Sequence, residues 1–476
     1  METVRGCTQR SSAPACSACV RWNAEVPPMQ SEDDSPHTPH KPLFATVFML
    51  PVTPLSMLTP FLCGLLGLIA LVMLAYGVRQ MVFSVQRMFG RQRYLYAGLL
   101  HARWPDITVF VAAHNEEAVI AQNLRSLLCS DYPVDRMRIV VVNDRSTDGT
   151  RRIVDEWVQR HPGRVQVFHR TQGKPGKAAA LKDAMVYAHG DIVLVFDADY
   201  TPSPGLIHQL VAPFLDPAVG AVMGRVVPRN TDANLLTRLL DLERSAGYQV
   251  DQQARMNLQG VPQYGGTVGG VRVSALQAIG GWHDDVLAED TDITIRLLVA
   301  GWKTVYNNLA VCHEEVPQEW PVRLRQVQRW ARGHHQVMLR QSWALLTSPA
   351  VNWRERLDGL MLLGIFLNQP LLLLGWMLVL ALYYLQGTQW LQQWLPAPVL
   401  MLNALLGSFC VFMHTTFAVL LDGHRERLRL LPLQGAGFLA SLPVMSRALP
   451  GAVMDLLMRR ELVWAKTRRY AQEVSP

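Results

Sequence analysis

Charge is scarce in this sequence. Asp, Glu, Lys and Arg make up 17% of its 476 residues, and half of the chain is hydrophobic. That balance suits a soluble core joined to membrane spans better than a wholly soluble chain. Cysteine is scarcer still: seven residues, odd in number and scattered, so no disulfide framework is expected. Cys16 and Cys19 form one C-x-x-C with no second pair to complete a zinc site. Three stretches, 61–78, 359–386 and 397–421, contain no Lys, Arg, Asp or Glu at all. A buried core helix rarely stays uncharged for so long, and each stretch is expected to span a membrane.

The loop at 387–398 also lacks Lys and Arg, whereas Arg79, Arg87, Arg91 and Arg93 follow the first apolar stretch and Arg425, Arg427 and Arg429 follow the third. By the positive-inside rule that loop is external and the large middle region is cytoplasmic. The net charge of +7 is then a consequence of topology, and no nucleic-acid partner is expected.

Five regions follow. Residues 1–42, rich in Ser, Pro and His, read as a disordered leader without the apolar core of a cleavable signal. Residues 43–80 form an N-terminal membrane segment, interrupted near its start by Pro51, Pro54 and Pro60. Residues 100–345 are the cytoplasmic domain, 357–456 a C-terminal membrane region and 457–476 a basic tail. Arg447, three prolines and basic flanks favour a re-entrant or interfacial segment at 432–456, with a single crossing as the alternative.

In the middle region, short β-branched runs ("ITVFVAA", "RIVVVND", "VQVFH", "DIVLVFDAD") alternate with amphipathic stretches at 117–129, 148–161 and 177–189. The alternation predicts an α/β fold, a parallel sheet with helices on both faces. Ligands on such sheets bind beyond the carboxyl ends of the strands. The polar residues fall there. "AAHNEE" supplies His114, Asn115 and Glu116. "VVNDRSTDGT" supplies Asp144, with Ser146 or Asp148 to cap the next helix. In "GKPGKAAALKDA", Gly176 and Lys177 open a helix whose amino end suits phosphate. "DIVLVFDAD" ends in Asp197 and Asp199, which an extended backbone would point to one side. Asp-x-Asp occurs again at Asp290 and Asp292, so only its surroundings make the first pair a candidate for Mg2+ or Mn2+, which takes one or two carboxylates and completes its shell with water and phosphate.

This ordered set resembles the membrane-embedded family 2 glycosyltransferases, a group that includes cellulose, hyaluronan and poly-N-acetylglucosamine synthases. The likeness spans about residues 105–345. It implies a Rossmann-like GT-A domain inserted between transmembrane helices and a nucleotide sugar, a UDP-sugar first, as donor. Asp144 would contact the base, and His114, Glu116, Lys177 and Asp197 would complete the nucleotide site. Asp197 and Asp199 would hold the metal. In "AED", Ala288 stands where the family usually has Thr, Glu289 is a supporting group and Asp290 the catalytic base. "RQVQRW" matches the Q-x-x-R-W of processive synthases: Gln326 and Trp330 share a helix face for the acceptor, and Arg329 neutralises the leaving diphosphate. The glycine-rich 263–275 falls where the acceptor end binds.

The resemblance implies an inverting, processive synthase extending a β-linked polysaccharide at the bacterial inner membrane, multi-pass, in contact with the bilayer. The alternatives are single transfer to a lipid and a non-catalytic scaffold; the retained carboxylates argue against the last. His334 and His335 read as a solvated or phosphate-facing pair rather than a metal site. Asn403 and His414 inside an apolar stretch suit a sugar channel or helix-to-helix hydrogen bonds equally.

Overall fold

A computed structural model describes residues 55–94, 96, 104–386 and 397–458. The leader, Cys16 and Cys19, most of the 387–398 loop, nearly all of the basic tail and the side chain of Asn403 lie outside the described residues.

Strands β1 (Ile107–Ala113), β2 (Met137–Asp144), β3 (Val165–Arg170) and β4 (Ile192–Asp197) are the four runs expected, and they pair in parallel. Successive residues point to opposite faces, and both faces are covered. Val109, Val111, Ile139, Val141, Leu194 and Phe196 pack into one core with α2 (Ile120–Leu128) and α3 (Thr150–Arg160). Phe110, Val140, Val142, Val193 and Val195 pack into another with α4 (Lys177–Ala184). This is why these strands read as unbroken apolar runs.

The sheet is not all parallel, as the alternation had suggested. Its eight strands run in the order β3-β2-β1-β4-β7-β6-β8-β5, where β5 is Thr201–Pro202, β6 Val219–Pro228, β7 Gly269–Arg272 and β8 Lys303–Glu314. β7 is antiparallel to both β4 and β6. It is pressed between them: a Cβ at Gly269 would lie 2.3 Å from the Val222 carbonyl, and one at Gly270 2.4 Å from Leu194 Cδ2. The glycine run is thus partly a packing requirement. Helices α5 (Leu206–Val211), α6 (Leu235–Ser245), α7 (Gln253–Leu258), α8 (Val273–Ala278), α9 (Glu289–Val299), α10 (Trp320–Thr347) and α11 (Trp353–Leu363) complete the domain.

The first apolar stretch lies within a longer helix than expected, α1 (Leu55–Phe89). The second is not one helix. Gly364 ends α11, a 3-10 turn follows, and α12 (Asn368–Gln386) continues. The third is α13 (Ala397–Asp422). The ambiguous 432–456 stretch forms α14 (Leu431–Ser446) and α15 (Ala448–Met458), which meet at Arg447. Among the described residues, Leu58–Phe89, Ile365–Leu385 and Arg425–Met458 are long and apolar enough to cross a membrane. α15 is also tied to the domain, because Asp455 accepts from Arg332 and Gln336 of α10.

Candidate active site

Strand register sets the site. Ala113 lies beside Asn143 and Ala112 beside Asp197, so His114, Asp144 and Asp197 leave the sheet as neighbours. The extended-backbone argument fails for Asp199: β4 stops at Asp197, and Asp199 sits in a turn, 2% exposed. Both carboxylates still line the same cavity. Lys177, the first residue of α4, places its Nζ 2.6 Å from Asp197 Oδ1. Burial works against its ammonium, but Asp197 and then Glu289 outweigh that and raise its pKa.

Asp144 is heavily occupied. Its Oδ1 accepts from Arg170 at 2.8 Å and Arg145 at 3.0 Å, and its Oδ2 accepts from the Gly176 amide at 3.1 Å. A carboxylate offers about four acceptor directions, so Asp144 both pins the Lys177 loop and keeps one direction for a ligand. His114 Nδ1 donates to the Asp144 carbonyl at 2.6 Å. The buried Glu116 donates its amide to Thr150 Oγ1 at 2.7 Å. Neither expected residue is the N-cap of α3, which is Gly149: Asp148, one position earlier, accepts from the Thr150 amide, and Ser146 receives the Asn115 amide.

Opposite these strands, Glu289 and Asp290 open α9. Burial, with Asp290 beside it, pushes the Glu289 carboxyl up to about 7, against the pull of Lys177 and Arg329. Asp290 Oδ1 accepts from the Thr291 amide at 2.7 Å. Asp292 has a different fate. It is fully buried, bonded to Arg296 at 2.7 Å and Gln341 at 2.8 Å and paired with His283 at 2.9 Å, and it is absent from the cavity wall. α10 crosses this turn closely. A Cβ at Gly333 would lie 2.8 Å from the Cβ and the amide nitrogen of Ala288, which explains the glycine at 333. Gln336 also accepts from the Leu287 amide.

Gln326, Arg329 and Trp330 of α10 face the cavity together. Arg323 donates to Gln326 at 2.8 Å and pairs with Glu243. The guanidinium carbons of Arg244 and Arg323 each lie 5.1 Å from the Trp330 ring centre, so the indole is held by two cation–π contacts. The two histidines differ, and only one of them is sealed from solvent. His335 is fully buried, and burial lowers its pKa to about 4. His334 enters the cavity beside Thr291.

The eleven residues to which the resemblance gives a role in the site therefore line one cavity of about 850 Å3. Its far wall holds residues that the sequence reading missed. Glu314 ends β8 as Asp197 ends β4, and Glu315 follows it; the same pattern, an apolar strand running into carboxylates, was legible in "VYNNLAVCHEE". Tyr248, Asp251 and Gln252 come from a π-helical segment, Ala246–Gln252, that joins α6 to α7. Such wide turns recur at functional sites, and no sequence signal announced this one. α1 and α13 pack on it through Phe83 and Ala418. Gln80, Leu362, Phe366, Val411, His414 and Gln434 carry the wall onto the apolar helices. Among the described residues, eleven Asp and Glu but only five Lys and Arg line the cavity, a formal surplus of six negative charges, which ion pairs behind the wall offset in part.

Residues 105–333 match the sequence family described as "Glycosyltransferase like family 2". The chain is similar to "Probable glycosyltransferase YdaM" of Bacillus subtilis (strain 168), with 36% identity over 239 residues, 50% of this chain and 57% of the relative. It is also 35% identical over 257 residues to the beta-monoglucosyldiacylglycerol synthase of Synechocystis sp. (strain PCC 6803), covering 54% of this chain and 53% of that one. The chain thus spans just over half the length of these relatives. Among solved structures, the mannosyltransferase PcManGT of Pyrobaculum calidifontis, in complex with GDP-Man and Mn2+, has a similar fold: TM-score 0.54, 22% identity, 83% of this chain and 100% of that one. Residues 105–333 are a glycosyltransferase family 2 domain with a GT-A fold.

Proposed function

We infer that this protein is an inverting glycosyltransferase that takes a sugar from a nucleotide sugar, a UDP-sugar first, and adds it to a hydroxyl acceptor at the inner membrane of a bacterium. One observation carries this reading: carboxylates from β2, β4, β8 and α9 share a cavity that runs from the sheet edge to apolar helices. An anionic donor entering a wall with surplus negative charge needs a cation. The donor set fits one. Asp197 and Asp199 are hard oxygen ligands, and among the described residues no group of three or more His, Cys, Asp or Glu could hold an ion alone, so Mg2+ or Mn2+ would be held jointly with the diphosphate. When bound, the cation would neutralise the diphosphate and ease its departure.

Lys177 and Arg329 supply fixed positive charge to the diphosphate from α4 and α10, and Asp144, His114 and Glu116 hold the nucleoside. Asp290 takes the proton of the acceptor hydroxyl as that oxygen attacks the anomeric carbon. Glu289 supports it: with a pKa near 7 it shares a proton with its surroundings at neutral pH rather than adding a full second charge beside the base.

The Q-x-x-R-W set favours a polysaccharide acceptor extended processively, with Gln326 and Trp330 at its end. A lipid acceptor is the second reading; the similarity to the Synechocystis lipid synthase and the apolar helices in the cavity wall favour it. Membranes carrying the full chain, supplied with labelled UDP-glucose, UDP-N-acetylglucosamine, UDP-galactose or GDP-mannose, separate the two by product size. A polymer that shortens in Trp330→Ala supports processive extension. One sugar on an extractable lipid supports the second reading. No transfer from any donor that the protein demonstrably binds would overturn both.

A further inference from the structure

His334 is absorbed by none of the roles above, yet it stands one hydroxyl away from Asp290. Thr291 Oγ1 is 3.3 Å from Asp290 Oδ1 and 3.2 Å from His334 Nε2. On the other side of the ring, Nδ1 lies 3.1 Å from the Trp330 carbonyl. A carbonyl can only accept, so Nδ1 carries the hydrogen and the neutral ring offers Nε2 as an acceptor. A second donor confirms the assignment: the Gln263 amide nitrogen lies 3.4 Å from the same Nε2 and donates to Thr291 Oγ1 at 2.8 Å. Gln263 is itself fixed by paired bonds to Gln252. The hydroxyl of Thr291 therefore has two acceptors, a carboxylate and an imidazole, and one proton to give.

We propose that Asp290, Thr291 and His334 form a proton relay that clears the catalytic base after each transfer. The relay rests on the reading of Asp290 as that base. During transfer the acceptor O–H bond breaks, its oxygen bonds to the anomeric carbon, and the bond from that carbon to the diphosphate breaks with its electron pair. Asp290 is left protonated. Its proton then passes to Thr291 Oγ1 as the hydroxyl proton of Thr291 passes to His334 Nε2. Asp290 is again an anion, Thr291 is unchanged and His334 is an imidazolium, which loses the proton to water in the cavity. The charged groups facing His334 are Asp290 from α9, which favours the imidazolium, and Arg255 from α7, which opposes it. Burial opposes it more strongly, so the imidazolium is short-lived and the proton moves on.

The test compares Thr291→Val, Thr291→Ser, His334→Gln and Asp290→Asn in membranes, using whichever of the four labelled donors wild-type membranes transfer best. Donor binding should be preserved in all four variants. Steady-state turnover should fall about 10-fold or more in Thr291→Val and His334→Gln, toward the lower end of what a general acid–base group contributes, and should stay near wild type in Thr291→Ser. Combining Thr291→Val with His334→Gln should cost no more than either alone, because they interrupt one path. Added imidazole should restore part of the turnover of His334→Gly, which a purely structural role would not allow. Near-normal turnover in His334→Gln, or equal loss in Thr291→Ser and Thr291→Val, overturns the relay. If Asp290→Asn itself keeps its turnover, the assignment of the base has failed and the relay falls with it.

Discussion

Two regions of the molecule treat charge in opposite ways. Where the apolar helices meet the domain, three carboxylates with largely buried side chains, none of them lining the cavity, each have their own partners. Asp422, closing α13, accepts from Arg225, Ser245 and Gln249. Asp358 accepts from Arg79 and from the Val261 amide, with Arg255 at 3.9 Å. Asp455 is held by Arg332 and Gln336. At the sheet edge, Asp197, Asp199, Glu289 and Asp290 crowd one wall where Lys177 and Arg329 are the lining cations near them. Paired charges fasten helices to the domain. Surplus charge marks where, on the proposed function, a cation and an anionic donor would arrive.

That contrast can be broken in either region. The largest effect is expected from metal removal. Excess chelator should abolish transfer, Mn2+ or Mg2+ should restore it, and Asp199→Asn should weaken donor binding only when metal is present. Transfer that continues in chelator would mean that the surplus charge serves something else.

Next comes a break in a compensated cluster. Asp422→Ala strands Arg225 beside the π-helical segment, and losing one partner of a buried pair typically costs about 3–5 kcal/mol. The melting temperature should fall steeply while donor binding per folded molecule is kept. A variant as stable as wild type would show that the cluster fastens nothing.

The smallest effect concerns Glu289 and has a definite sign. Its folded pKa, about 7, lies above the ordinary carboxylate value, so the folded protein binds a proton that the unfolded chain releases. The stability gained is complete below the ordinary value and lost as pH rises through 7. Glu289→Gln should therefore melt higher than wild type at pH 8, and the difference should close near pH 5. A difference independent of pH would remove Glu289 from the buried pair.

The same contrast governs what the sequence could reveal. Strand ends were legible because an apolar run that stops at Asp144 or Asp197 is a local pattern, and parallel register then sets those ends side by side. The "AED" turn and the Gln326, Arg329 and Trp330 set were legible only through the family resemblance, to which the spacing of four added that Gln326 and Trp330 share a helix face. β7 was not, since four residues beginning with two glycines carry little strand signal. Nor was the break after α11. Tyr76 of α1 donates to the Met361 carbonyl at 3.0 Å, and a Cβ at Gly364 would meet the Tyr76 oxygen at 2.8 Å, so a distant helix decides where the run divides. The turn that buries Asp199 likewise follows from tertiary packing and not from the Asp-x-Asp spacing. The compensated clusters join residues 97 or more positions apart, 279 for Arg79 and Asp358, and no window of sequence contains them.

Asp290 and Asp292 are the same contrast within one helical turn: the first lines the cavity, and the second is sealed by Arg296, Gln341 and His283. Turnover and donor binding of Asp290→Asn measured beside Asp292→Asn in the same membranes test the account most directly. Asp290→Asn should lose about 10²–10⁴-fold in turnover, the usual contribution of a general base, with donor binding intact, while Asp292→Asn should lose thermal stability and keep turnover per folded molecule. Near-normal turnover in Asp290→Asn with an inactive but folded Asp292→Asn would contradict it.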